Sequence, residues 1–273
     1  MERACIFWFR RDLRLEDNAG LYQALKREGT VLPLFIFDTT ILDRLDHPAD
    51  ARVEFIHQEV TRLQRELTAL GSTILVRHGR PHEIWEALLE EFEVTSVYAN
   101  RDYEPMAKQR DRDIEQLLAD KNIPFHTYKD HLIFEGREVA KANGEPYVVF
   151  TPYSRAWRLK LEERMVEIEK KPDPRDGEPT HMSFYFKPYP NEKYFARFHK
   201  MDPAAIPDLQ TIGFEPAGIP FPDRVVSRKL IKHYDQTRDF PAVDGTSRLG
   251  IHFRFGTISI RCLLYTSPSP RDA

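Results

Sequence analysis

Cysteine is scarce: Cys5 and Cys262 are the only two in 273 residues. That excludes a disulfide framework and makes a reducing, cytoplasmic setting the expectation. No apolar run approaches the roughly 20 residues that a membrane-spanning helix needs, so no membrane partner is expected. The apolar run Ala4–Phe9 meets Arg10-Arg11-Asp12 at once and is too short for the core of a signal peptide. A large charge of either sign is missing as well. The formal net charge of -3 argues against wholesale electrostatic attraction to nucleic acid, while leaving room for a local basic patch. Walker-type glycine loops are absent. None of His57, His78, His82 and His131 stands in metal-ligand spacing with cysteine or carboxylate, so no metal site is expected. No Ser/His/Asp set can be assigned.

What is present suffices for a core, with 41% hydrophobic residues as in ordinary globular chains. Cys5–Phe9, Val31–Phe37, Thr73–Val76, Ser96–Ala99 and Pro124–Tyr128 are short runs rich in β-branched and aromatic residues. Helical patterns lie between them. Val53, Ile56, Val60, Leu63, Leu67 and Leu70 form one apolar stripe. Asp17, Pro81 and Pro105 mark expected helix starts. Five strands separated by helices predict an α/β fold, with a Rossmann-like five-stranded parallel sheet over residues 1–130. Pro152–Lys170 reads as a charged helix. Residues 131–222 read as a long ordered connector, because Phe184, Tyr185, Phe186, Tyr189, Tyr194, Phe195 and Phe198 need burial. A helix is predicted over Ser227–Gln236. Trp8, Trp85 and Trp157 sit on apolar patterns and read as packing residues.

Two segments carry chemistry. After the first strand stands Arg10-Arg11-Asp12-Leu13-Arg14, where a dinucleotide-binding fold needs glycines so that backbone can approach a pyrophosphate. Three arginines there rule against that chemistry; they read as partners of carboxylates at a domain junction, with a direct ligand contact as the lesser reading. The second segment is Gly245-Thr246-Ser247-Arg248 ahead of an apolar run. It reads as a helix start with donors for a phosphate, or as a plain helix capped by Thr246 or Ser247, with Arg248 paired to an acid. Arg224 to Arg261 holds eight Lys/Arg against three Asp, a net of +5, which reads as a polyanion contact or as a solvated surface. In a helix, Tyr234 and Arg238 would share one face. Phe253–Ile260 reads as a helix under way, which Pro268 and Pro270 would break. Cys262–Asp272 resembles the translation of a transposase adapter, so residues 262–273 are expected to be adapter-derived.

Three blocks resemble the DNA photolyase/cryptochrome family, most closely the class I cyclobutane pyrimidine dimer photolyases. They are Phe7–Asn18, Val149-Phe150-Thr151-Pro152-Tyr153 with Trp157, and Tyr234 through Arg261. The resemblance implies an α/β antenna domain, a connector, and the start of an all-helical FAD-binding domain over residues 223–261, truncated here. It assigns FAD contacts to Tyr234, Thr246, Ser247, Arg248, Leu249 and Gly250, and a DNA contact to Arg238. Gly250 stands where most relatives have serine. Met106 and Ala107 stand where folate-binding relatives carry Asn and Glu, so a methenyl-folate antenna is not implied and the second chromophore stays open. The implied activity is light-dependent repair of damaged DNA by a monomer. The alternatives are a cryptochrome-type photoreceptor and a nucleotide-binding α/β module without photochemistry. No catalytic residue is assigned within the chain, and the fragment is expected to be inactive because most of the family's flavin pocket lies past Arg261.

Overall fold

The computed structural model describes residues 2–169 and 188–266. Strands β1 (Glu2–Phe9), β2 (Val31–Asp38), β3 (Leu75–Gly79), β4 (Phe92–Asn100) and β5 (Phe125–Tyr128) form one sheet in the order β3-β2-β1-β4-β5. Every neighbouring pair is parallel. Such strands are covered on both faces, which is why they read as continuous apolar runs rather than alternating ones. All of β2 is buried.

Successive side chains on β1 and β2 feed opposite core layers. Phe7, Phe9, Phe35 and Phe37 pack with α1 (Ala19–Arg27) and α3 (Ala51–Ala69). Ile6, Trp8, Leu34 and Ile36 pack with α4 (Pro81–Glu91) and α5 (Pro105–Ala119). The α3 stripe is as predicted, with Val53, Val60, Leu63 and Leu67 buried. A further short helix, α2 (Thr39–Leu42), follows β2 directly. Prolines open α4 and α5 as expected. The start of α1 differs by one residue. Asn18 is its N-cap and accepts from the Leu21 N–H, while Asp17 sits just outside in the left-handed region at φ 44°.

Beyond the sheet, α6 (Phe150–Glu169) begins two positions ahead of Pro152 and sets Trp157 edge-on to Phe134 at 5.7 Å. Residues Asn191–Arg197 form a 3-10 helix. The His199 N–H then bonds the Val31 carbonyl at 2.9 Å, and Phe198, Ile212 and Phe214 join the α1/α3 core. Phe184, Tyr185 and Phe186 lie outside the described residues.

A helical region follows, made of α7 (Arg228–Thr237), α8 (Gly250–Phe255) and α9 (Ile260–Thr266). This corrects the expected helix across Phe253–Ile260, which is two helices. Gly256 ends α8 in the left-handed region at φ 60°, the usual place for a helix-terminating glycine. Helix α9 runs on through Cys262 to Thr266, whereas Pro268 and Pro270 lie outside the described residues. Among the described residues, no helix is long and apolar enough to cross a membrane.

Candidate functional site

The three-arginine turn after β1 clamps the end of α8. Arg11 Nε donates to the Arg254 carbonyl at 3.0 Å, the Leu13 N–H to Phe255 at 3.1 Å, and Arg14 to Gly256 at 3.0 Å. The last carbonyls of a helix have no partners within it and carry its negative dipole end, so cations and an N–H are the groups they require. The same arginines hold carboxylates, as their sequence predicts: Arg10 pairs with Asp111, Arg11 with Asp102 and Glu104, and Arg14 with Asp130. Between β1 and β4, where a dinucleotide would lie in an open sheet of this order, the protein fills the crevice itself. Asn100 Nδ2 donates to Asp12 at 2.6 Å and to Asn18 at 2.7 Å, and Asn100 Oδ1 accepts from the Gly20 N–H at 2.8 Å. Burial raises the Asp12 carboxyl above its ordinary range, against the bond from the Arg10 N–H.

Sequence reasoning missed Arg261. It is 1% exposed, and its guanidinium reaches Asp17 at 2.9 Å and Asp130 at 2.6 Å. Arg14 contacts the other Asp130 oxygen at 2.7 Å. Burial works against the Asp130 carboxylate, but Arg14 and Arg261 outweigh it and hold its pKa well below the usual range. Two arginines and two aspartates thus close a buried box between the sheet domain and α9.

The residues to which the resemblance assigns flavin contacts lie on α7, on the loop leading into α8 and, for Gly250, on the first position of α8. Tyr234 is 41% exposed, and the Arg238 guanidinium carbon lies 5.9 Å from its ring centre. Gly245 is buried against Thr237, whose hydroxyl donates to the Gly245 carbonyl. Thr246 and Gly250 are exposed, Ser247 is half-buried, and Leu249 is buried. The expected helix start at Thr246 or Ser247 is corrected. Arg248 takes φ 51°, which a helix cannot propagate through, and α8 begins at Gly250 after Leu249 without a side-chain cap. Arg248 pairs with Asp244 at 3.0 Å.

The basic block is partly neutralised. Arg224 reaches Glu59, Arg254 reaches Glu104, and Arg261 is in the buried box. Lys229, Lys232 and Arg238 face solvent.

A second site was not foreseen. A cavity of about 330 Å³ opens at the carboxyl ends of β1 and β2, with walls from α2, α3, α5 and the end of α8. Trp8, Phe35, Phe37, Ile56 and Phe255 supply apolar wall. Arg10, Arg11, Arg44, Arg52, Arg110 and Arg254 outnumber Asp38, Asp102 and Glu104 around it. The Trp8 ring has the Arg10 and Arg110 guanidinium carbons each 5.0 Å from its centre. Among the described residues, Asp38 Oδ2, which lies 3.8 Å from Arg110 Nη1, and Arg10 Nε are buried without a hydrogen-bond partner. Burial, then the Arg10 charge, lowers the Arg110 pKa despite Asp111 and Asp38. The lining comes from segments far apart in the chain, so no local motif announces it. Among the described residues, no cluster suited to a metal ion occurs.

The profile of the DNA photolyase family matches residues 5–175. A deoxyribodipyrimidine photo-lyase of Halobacterium salinarum is 30% identical, over 94% of this chain and 53% of its own length. A solved archaeal photolyase of Sulfolobus tokodaii, holding two FAD molecules and described as implying a novel light-harvesting cofactor, superposes with TM-score 0.63 at 27% identity, covering 97% of this chain and 54% of its own. A class III photolyase of Agrobacterium tumefaciens shares the fold at TM-score 0.70 and 22% identity, covering 97% of this chain and 53% of its own. The chain spans about half the length of the curated photo-lyases it matches. With its arginine turn locked onto a helical region and its sheet domain matched along most of its length, this chain belongs to the DNA photolyase family.

Proposed function

We propose that the chain is part of a class I-type photolyase, a monomer that repairs cyclobutane pyrimidine dimers in damaged DNA. The observation that carries this is the junction. The arginine turn after β1 holds α8 by its end, and α8 starts at Gly250, one residue after the hydroxyl–arginine segment. In this reading Thr246, Ser247 and the N–H groups from Leu249 onward bind the FAD diphosphate, Arg248 exchanging Asp244 for it, with the Tyr234 ring beside them. When bound, FAD supplies the light-driven electron that opens the lesion. Arg238 and the neighbouring lysines hold phosphates flanking a flipped-out dimer, whose weak pairing lowers the energy of leaving the stack. The turn that would seat a dinucleotide is filled by Asp12, Asn18 and Asn100, which weighs against a simple nucleotide-binding module.

The test is irradiation of the full-length protein, reconstituted with FAD, on an oligonucleotide carrying one thymine dimer. Dimer loss in blue light and none in darkness is expected. Bound FAD with no dimer loss would favour the cryptochrome alternative. The 273-residue chain alone is expected to retain FAD well below one equivalent.

A second reading concerns the cavity. Asp38 and Arg10 hold one unmet acceptor and one unmet donor beside an apolar, arginine-rich wall. Those groups suit a flat heteroaromatic light-harvesting cofactor with an N–H edge and an anionic tail. Folate bound through an Asn-Glu pair remains without support here, because Met106 and Ala107 occupy those positions.

A further inference from the structure

We infer that occupancy of the α/β cavity and the placement of α8 are energetically coupled through a bridge of Arg11, Glu104 and Arg254. The inference rests on the reading of the cavity as a cofactor site. It concerns how that site communicates with the segment proposed to hold FAD.

Glu104 Oε1 accepts from Arg11 at 2.9 Å and forms an ion pair with Arg254 Nη1 at 2.7 Å. Arg11 in turn donates to the Arg254 carbonyl at 3.0 Å. These three groups close a ring that joins the turn after β1, the segment after β4 and the last turn of α8. All three also line the cavity. Phe255, the next residue of α8, lines it as well and packs against Phe55 at 5.6 Å. A ligand entering the cavity therefore meets one end of α8 directly.

Helix α8 responds as one piece. Its His252 is fixed at both ring nitrogens, by Thr257 at 2.7 Å and the Pro222 carbonyl at 2.8 Å. At its other end the Phe253 N–H bonds the Leu249 carbonyl at 2.9 Å, and Leu249 is buried. Six residues thus connect the cavity wall to Leu249 and Gly250. An anionic ligand beside Arg11 and Arg254 adds to the negative charge with which Glu104 already joins them, and a planar one packs on Phe255. Both contacts bear on α8. Because coupling between sites is reciprocal, whatever tightens the 246–250 segment raises ligand affinity in the cavity by the same factor.

The experiment uses flavin mononucleotide as the probe on the 273-residue chain. Binding is followed by fluorescence, and amide hydrogen exchange over residues 249–256 is compared with exchange in α4. Saturating probe is expected to slow exchange in α8 about five-fold or more, at the lower end of typical coupling, and to leave α4 unchanged. Glu104→Gln keeps the shape and removes the charge that joins the two arginines. It is expected to bind the probe while the slowing in α8 falls below about two-fold, less than ordinary site-to-site coupling. Probe binding without any change in α8 exchange would overturn the coupling alone, as would undiminished slowing in Glu104→Gln. Failure of the probe to bind would overturn the cavity reading, and the coupling with it.

Discussion

Arg261 shows how much one buried charge can decide. Its partners Asp17 and Asp130 are as deeply buried as it is, so Arg261→Met leaves two carboxylates with too little positive charge. Breaking a buried pair from one side costs about 3–5 kcal/mol, and urea titration should show a loss of that order. Asp130→Asn added to Arg261→Met should recover part of it. The pH dependence has a definite sign. The Asp130 pKa is lowered on folding, so its stabilising effect is complete above the ordinary carboxylate value of about 3.9. It fades as pH falls below that toward the depressed folded value. Loss of Arg261 should therefore move acid unfolding to higher pH. None of this was legible in the sequence, because the arginine meets residues 131 and 244 positions away. The pairing of Arg10, Arg11 and Arg14 was legible, since three arginines within five residues, where glycines would serve a nucleotide, need acids nearby.

Helices and strands were read with uneven success, for a physical reason. The sheet strands are buried on both faces and announce themselves as apolar runs, and α3 shows its stripe. Helix α8 is six residues long, too short to carry a period, and its boundaries are set by backbone conformation. Arg248 takes φ 51° without being glycine, which sequence does not signal, so the helix start was expected too early. Gly256 sits at φ 60°, where a Cβ would collide with the Arg11 carbonyl. Gly256→Ala is expected to lose about 1–3 kcal/mol from the backbone conformation alone, with more from the collision. Gly250→Ala, which has open space around its Cβ, should be neutral or slightly stabilising. Chemical denaturation of the two variants side by side checks both expectations.

Over the whole molecule, a net charge of -3 coexists with a basic block at the helical end. The structure narrows that block, because Arg224, Arg254 and Arg261 are engaged with acids. Arg238 on the solvent face is the side chain with the most at stake in DNA binding. In the full-length protein, Arg238→Ala should weaken affinity for dimer-containing DNA and lower the slope of log affinity against log salt by about 0.9, the value for one phosphate. An unchanged slope would remove Arg238 from the DNA contact. The parallel sheet and the family's motif segments could be read from the chain. The cavity could not, since its walls are assembled from five stretches that no local pattern links.

The buried box also limits how modules of such proteins can be exchanged. A hybrid that takes its sheet domain from one parent and its helical part from another inherits Arg14, Asp17 and Asp130 from the first and Arg261 from the second. A crossover in the connector works only where both parents supply matching charges at all four positions. Sequence identity at the splice itself is a poor guide to which hybrids will fold.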